Sequence, residues 1–327
     1  MKPWLWLPSH LAHTLSFPML KIYGATHSKK TYAWQSFEWR GLRFSNRLGI
    51  AGGVDKNAAF VEDWWTLGPG FIEVGTVTPK PQAANPGKIM DRNILHKALW
   101  NKMGFPNEGA HRVAQNLAAL AQPRHTPIFV NVGRNRETPN EEAFTDYQKC
   151  FLQLKAQTDV FVINISSPNT QGLRDLQDPV ILKEFLQQVL KDPATRDHKP
   201  VLLKLSPDLS ATQLSDLLRT SLECGVDGWI LTNTTLEREA GLSFPKEGGV
   251  SGAPLARLAK AALKVATQTL STEERKNRLL ISVGGILSPD DVQERLKMGA
   301  DLVQVYTALI YEGPEFFKRT AARLAHS

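Results

Sequence analysis

Residues 160–174, VFVINISSPNTQGLR, change character midway. An apolar, β-branched run of the kind that fills a buried parallel strand gives way to Ser166, Ser167, Pro168, Asn169 and Thr170. Such a strand presents hydroxyls and amides at its C-terminal rim, where parallel α/β folds bind ligands. Asn164 lies inside the apolar run itself. A carboxamide facing a barrel interior needs a partner, and a ligand can supply one. Other apolar runs end in comparable chemistry: Gly52, Gly53, Val54, Asp55 and Lys56; Thr76; Asn131 and Gly133; Lys204; Thr232, Asn233 and Thr234; Gly284 and Gly285; Tyr306 and Thr307. Two intervening loops read NKMGFPNEG, with Asn101 and Asn107, and GGVSG at 248–252. Singly each feature is ordinary, since a lone Gly-Gly is a turn and a lone Asn a cap. Together, carboxamides and lysines on one rim suit a planar heterocycle rich in C=O and N–H, because each Asn offers a donor and an acceptor.

The remaining chemistry is narrowed by what the rim lacks. No His, Asp or Glu cluster has metal-ligand spacing. Asp55 is the only acid among these strand ends, which disfavours paired-carboxylate hydrolysis. Gly284 and Gly285, followed by another strand and a short helix, suit a phosphate held on backbone N–H groups. Electron chemistry without a metal then points to an organic cofactor that carries a phosphate.

The elements that must position these groups repeat one unit: a short apolar strand, a loop and an amphipathic helix. Strands are expected at 48–51, 71–77, 128–132, 160–165, 201–205, 228–232, 279–283 and 302–306, after a hairpin in SFEWRGLRFSN. Helices are expected between them, for example at 57–67, 108–121, 143–156, 180–190, 211–224 and 255–268, and the seventh of the barrel begins at Ser288 as N-cap with Pro289, Asp291 and a terminating Gly299. Eight strands alternating with eight helices predict a (β/α)8 TIM barrel, an α/β fold, rather than an open sheet.

Composition fits that expectation: 327 residues, 42% hydrophobic and 22% charged. Cys150 and Cys224 stand outside any metal or disulfide pattern, which indicates a reducing compartment. The formal net charge of +7 suits an acidic substrate or an anionic membrane surface. Nucleic acid ranks last, because no basic run is interleaved with aromatics.

Residues 1–35 form an N-terminal helical arm ahead of a barrel at 36–327. The first 30 residues carry Trp4, Leu5, Trp6, Leu7, Leu11, Leu15, Phe17, Met19 and Leu20 among Lys and His. No apolar run approaches the roughly 20 residues that span a bilayer. Leu7, Leu11 and Leu15 are expected on one helical face, which suits either a membrane interface or packing on the barrel.

The strings GVDKN (53–57), EVGTVTPKPQ (73–82), NKMGF (101–105), NISSPNTQGLR (164–174), TNTTL (232–236), GGVSG (248–252) and SVGGI (282–286) stand in one order. In that order and spacing the chain resembles the dihydroorotate dehydrogenases, specifically their membrane-associated, quinone-dependent class, over residues 7–317. The resemblance implies FMN in the barrel mouth and oxidation of dihydroorotate to orotate. It implies Ser167 as the base at C5, with Thr170 or a water relaying the proton and Lys56 beside it. Lys56, Asn101, Lys102, Met103, Gly104, Phe105, Asn164, Asn169, Asn233 and Thr234 match substrate-binding positions. Gly52, Gly53, Val54, Asp55, Lys56, Thr76, Asn131, Asn164, Lys204, Thr232, Gly252, Gly285, Tyr306 and Thr307 match flavin-binding positions. Lys204 is expected to stabilise negative charge on the reduced ring.

Soluble members of the family place Cys where this chain has Ser167, which favours the quinone class. The arm would then form the acceptor's entrance and hold a monomer to the cytoplasmic side of the inner membrane. Gly52, Arg134, Pro106 and Asp91 depart from the family's usual residues. The competing readings are the same half-reaction with fumarate or NAD as acceptor, and a flavin-binding barrel without turnover.

Overall fold

The computed structural model describes residues 2–325. Eight parallel strands close a barrel: β1 Leu48–Ile50, β2 Phe71–Val77, β3 Ile128–Val132, β4 Val160–Asn164, β5 Val201–Leu205, β6 Gly228–Leu231, β7 Leu279–Val283 and β8 Leu302–Val305. Each pairs with its sequence neighbours, and β8 closes on β1 through Val303 opposite Leu48. This is the expected (β/α)8 TIM barrel, with most strand ends where the apolar runs end.

Period-2 alternation sorts each strand into two faces. The outward residues meet the helices in the main core, as Ile72, Val74, Val130 and Ile163 do. Inward residues change character along the barrel axis. At the N-terminal end Phe71, Phe129, Val160, Leu202, Leu279 and Leu302 fill the interior. Trp39 and Phe44, from the expected hairpin Phe37–Trp39/Leu42–Phe44, close this end, with Phe44 edge-on to Phe71 and Phe129 at 5.8 and 6.2 Å between centroids. One inward position further on, the same strands carry Glu73, Asn131 and Gln304, so the apolar floor supports a polar upper layer.

Local signals fix the helices. Ser210 and Ser288 each complete a capping box, with Gln213 and Asp291. Gly299, at φ +100°, ends the helix Pro289–Lys297. The helix expected over 57–67 begins instead at Val61, with Trp65–Leu67 as a 3-10 turn. The Asp55 carboxylate accepts from Ala59 N and Phe60 N (3.0 and 2.9 Å), while Asn57 exchanges hydrogen bonds with Glu108, and these hold 56–60 as a bend.

One feature departs from the expected loops. Met90–Asn93, Ala98–Asn101 and Gly249–Gly252 form an antiparallel three-stranded sheet over the mouth, so GGVSG is a strand rather than a loop. The arm consists of a short turn, Pro3–Leu5, and the helix Ser9–Thr26. The helix starts after Leu7, which therefore does not share a helical face with Leu11 and Leu15. Arg92 from the three-stranded sheet ties the arm down by donating to the carbonyls of Trp4, Leu5 and Leu7. Trp4 Nε1 donates to Ile310 O at 2.7 Å, and Phe17 stacks on Phe60 at 4.7 Å. Among the described residues no helix is long and apolar enough to cross a membrane.

Candidate active site

A cavity of about 140 Å³ opens at the C-terminal ends of the strands. Its wall brings together Gly52, Gly53, Lys56, Thr76, Asn101, Met103, Gly104, Phe105, Asn131, Asn164, Ser167, Asn169, Lys204, Thr232, Asn233, Thr234, Gly252, Gly285, Tyr306 and Thr307. The structure therefore collects most of the residues singled out in the sequence. Of those matched to catalytic, substrate or flavin positions, four stand elsewhere. Lys102 is turned to the surface, where it pairs with Glu247. Asp55 caps the bend at 59–60, as above, and burial raises its pKa despite those backbone N–H groups. Val54 faces a second cavity on the arm side. Thr170 is buried behind the wall, and its Oγ1 has no hydrogen-bond partner among the described residues.

The amides form a connected network rather than isolated probes. Asn164 Nδ2 donates to Thr76 Oγ1 (2.9 Å) and Asn131 Oδ1 (3.1 Å), and Asn164 Oδ1 accepts from Asn233 Nδ2 and Ser166 Oγ (3.3 and 3.1 Å). Asn164 thus finds its partners within the protein, and it fixes neighbouring amides instead of waiting for a ligand. Ser167 Oγ accepts from Asn169 N at 3.2 Å, its one hydrogen bond among the described residues. The Asn169 Nδ2 group is held by Asn101 Oδ1, which leaves Asn169 Oδ1 buried and without a partner among the described residues. An acceptor in that state calls for a donor such as an imide N–H.

Two charged groups frame the cavity. Lys56 Nζ donates to Gly53 O at 2.9 Å, and burial depresses its pKa to about 8, with Asp55 opposing the shift. Lys204 Nζ lies 2.9 Å from Glu73 Oε1. Glu73 and Gln304 lie inside their strands and are not among the residues singled out in the sequence. An acid in the middle of FIEVGTV, in phase with Phe71, was the available signal. Arg134, where the family usually has Lys, is also structural: it donates to Asn140 Oδ1 and the carbonyls of Thr138 and Gln171, tying two loops together.

The opposite wall is built for close backbone approach. Gly252, Gly284 and Gly285 have φ of +91°, +118° and +69°. A Cβ on Gly285 would lie 2.3 Å from Ala256 Cα. Arg295, buried behind these glycines, donates to Gly284 O at 2.9 Å and forms no ion pair among the described residues. Burial lowers its pKa to about 10, and a nearby anion would compensate the charge. This wall fits the phosphate of a flavin mononucleotide, and Gly52 and Gly53 leave room for a flat ring. Among the described residues there is no metal-binding cluster.

The second cavity, of about 310 Å³, lies under the arm. Trp4, Ala12, Phe17, Leu20 and Tyr23 face Trp64, Met90, Leu99 and Leu309 across it. Asn101, Met103, Ser251 and Tyr306 line both cavities, so the apolar chamber abuts the barrel mouth. His13 lines it as well, and burial, with the Lys56 charge adding to it, holds its pKa below the usual histidine range.

A family model described as dihydroorotate dehydrogenase matches residues 36–327. The chain is 45% identical over 283 residues to the dihydroorotate dehydrogenase (quinone) of Thermus thermophilus, covering 85% of this chain and 79% of that one. It is 39% identical over 320 residues to the protein of the same name from Dichelobacter nodosus, covering 95% and 93%. Among solved structures, that of DHODH in complex with ferulenol from Eimeria tenella matches with a TM-score of 0.85 and 30% identity, covering 96% of this chain and 90% of that one.

Proposed function

The chain belongs to the dihydroorotate dehydrogenase family, and from that premise we propose that its barrel mouth oxidises dihydroorotate to orotate, a step of pyrimidine synthesis, and passes the electrons through FMN to a quinone. The observation that carries this reading is the shared wall of the two cavities. A polar site for a heterocyclic acid and an apolar chamber for a hydrophobic acceptor meet at Asn101, Met103, Ser251 and Tyr306. Bound FMN supplies the hydride acceptor that the side chains lack.

The protein's own residues divide the remaining work. Gly252, Gly284 and Gly285 receive the phosphate, with Arg295 behind them. Asn131, Thr76, Thr232 and Lys204 line the part of the cavity that would hold the ring, where Lys204 would supply positive charge to favour its reduction. Asn101, Asn169, Asn233 and Thr234 bind the substrate's imide and amide edges, and Lys56 opposes its carboxylate. Ser167 Oγ takes the proton from C5 as the hydride leaves C6. Serine is a weak base in water, so the step depends on the closed site and on a proton relay, for which Thr170 Oγ1, which forms no hydrogen bond with Ser167 in this structure, would need a bridging water or a turn of its side chain.

The arm-side chamber is the quinone's route to the flavin edge. Trp6 (71% exposed) and Ile22 point away from the protein on the same arm, and with the net charge of +7 they suit contact with an anionic membrane surface. The protein then works as a monomer at the cytoplasmic face of the inner membrane, its residues 1–35 acting as the acceptor's entrance to the barrel at 36–327. Supplying dihydroorotate with a quinone, fumarate or NAD in turn tests the acceptor. Turnover with the quinone alone is expected, and turnover with fumarate or NAD alone would overturn the assignment.

A further inference from the structure

Glu73 is fully buried in the middle of the barrel, beneath the cavity floor rather than on its wall. Its position on β2, in phase with Phe71, turns it inward. Oε1 accepts from Lys204 Nζ (2.9 Å) and Asn131 Nδ2 (2.6 Å), and Oε2 accepts from Gln304 Nε2 (2.6 Å). Donors from β5, β3 and β8 thus hold the carboxylate from three sides. All three donors line the cavity above it. Gly52 makes the space, since a Cβ there would lie 2.2 Å from Glu73 Oε1. No other ion pair of Lys204 exists among the described residues.

We propose that Glu73 is a positioning residue that sets the flavin's midpoint potential by governing how much of the Lys204 charge the ring experiences. This rests on the reading that FMN lies against Lys204. The physical argument concerns range. An isolated ammonium beside the ring favours the reduced, more negative flavin, and it does so strongly in a site of low dielectric. A carboxylate 2.9 Å from that ammonium converts the charge into a dipole, whose field fades faster with distance. Lys204 keeps its place and its donor hydrogens, while the bias toward the reduced state is muted. A flavin that must take electrons from one substrate and yield them to another needs that moderation, because a ring that holds its electrons too firmly is reduced readily and reoxidised poorly. Gln304 and Asn131 keep the carboxylate from leaving Lys204.

The test is a redox titration of the bound flavin in the intact holoprotein, on wild type, Glu73→Gln, Glu73→Asp, Lys204→Gln and the Glu73→Gln/Lys204→Gln pair. Glu73→Gln should raise the reduced-to-oxidised ratio at a fixed poise at least tenfold, ~30 mV for a two-electron couple. Glu73→Asp keeps the charge and should stay within about threefold of wild type, a rescue that a purely structural role would not give. Lys204→Gln should shift the ratio the other way, and the double variant should return toward wild type, as a coupled pair requires. If Glu73→Gln leaves the potential unchanged or lowers it, the proposal is wrong. Should Glu73→Gln fail to fold, the comparison of Lys204→Gln with the double variant decides: equal potentials overturn the proposal, and a higher potential in the double supports it. Wild type without FMN, or with FMN that dihydroorotate does not reduce, would overturn the functional reading itself, whereas an unmoved potential in a working enzyme overturns this inference alone.

Discussion

Asn169 Nδ2 donates to Asn101 Oδ1 at 2.9 Å, and this bond joins the loop after β4 to the antiparallel sheet over the mouth. The loop also carries Ser167, while Asn101 lines both the polar cavity and the apolar chamber. The proposed substrate site and the proposed acceptor route therefore share one side chain. Asn101→Ala should weaken orotate binding about tenfold, near the upper end of a single hydrogen bond's ~0.5–1.5 kcal/mol, and leave FMN in place. Titrating the flavin absorbance with orotate measures it, and unchanged affinity would take the sheet out of the substrate site.

Ser167→Ala should keep FMN and orotate binding but slow flavin reduction by about 10²–10⁴-fold at neutral pH, the usual contribution of a positioned base. Stopped-flow reduction by dihydroorotate checks this. A wild-type rate would assign the proton to another group.

Orotate affinity should depend on Lys56. Burial has lowered its pKa to about 8 in the open site, so the ammonium is present below that pH. An anionic ligand favours the protonated form. Affinity is therefore full below pH 8 and falls as pH rises through and above it, by up to about tenfold per unit until the complex also loses its proton. Lys56→Met should bind orotate more weakly and flatten the profile between pH 7 and 9. A wild-type Kd that is constant over that range would remove Lys56 from the carboxylate site.

The barrel was legible in the sequence because its signals are local. Apolar runs such as LLISV form strands wherever both faces are buried, and Ser288 with Asp291 starts a helix by its own hydrogen bonds. The rim residues were legible because this fold builds sites just past its strands. Glu73 and Gln304 were not, since their role depends on strands that meet only after the barrel closes. The roof sheet was missed for a similar reason: Gly249–Gly252 becomes a strand only by pairing with Ala98–Asn101, far away in sequence. Asn164 was read as seeking a ligand because nothing local reveals Asn131, Thr76 and Asn233 as its partners.

Removing residues 2–27 should leave FMN bound, because every cavity residue named for the flavin lies beyond them. It should leave anaerobic reduction by dihydroorotate nearly unchanged. Oxidation by a long-tailed quinone should fall sharply while a small water-soluble dye still accepts electrons. Equal losses in both half-reactions would instead mean that the arm only stabilises the barrel.

In the proposed function, one flavin joins a dihydroorotate site to a quinone route. An anaerobic titration of the purified holoprotein with dihydroorotate, followed by addition of a short-chain quinone, tests both halves in one cuvette. Stoichiometric bleaching of the flavin band, release of one orotate per flavin, and full recovery of the oxidised spectrum on adding the quinone are expected. A flavin that dihydroorotate does not bleach, or that stays reduced in excess quinone while fumarate or NAD reoxidises it, would show that no flavin links these two sites.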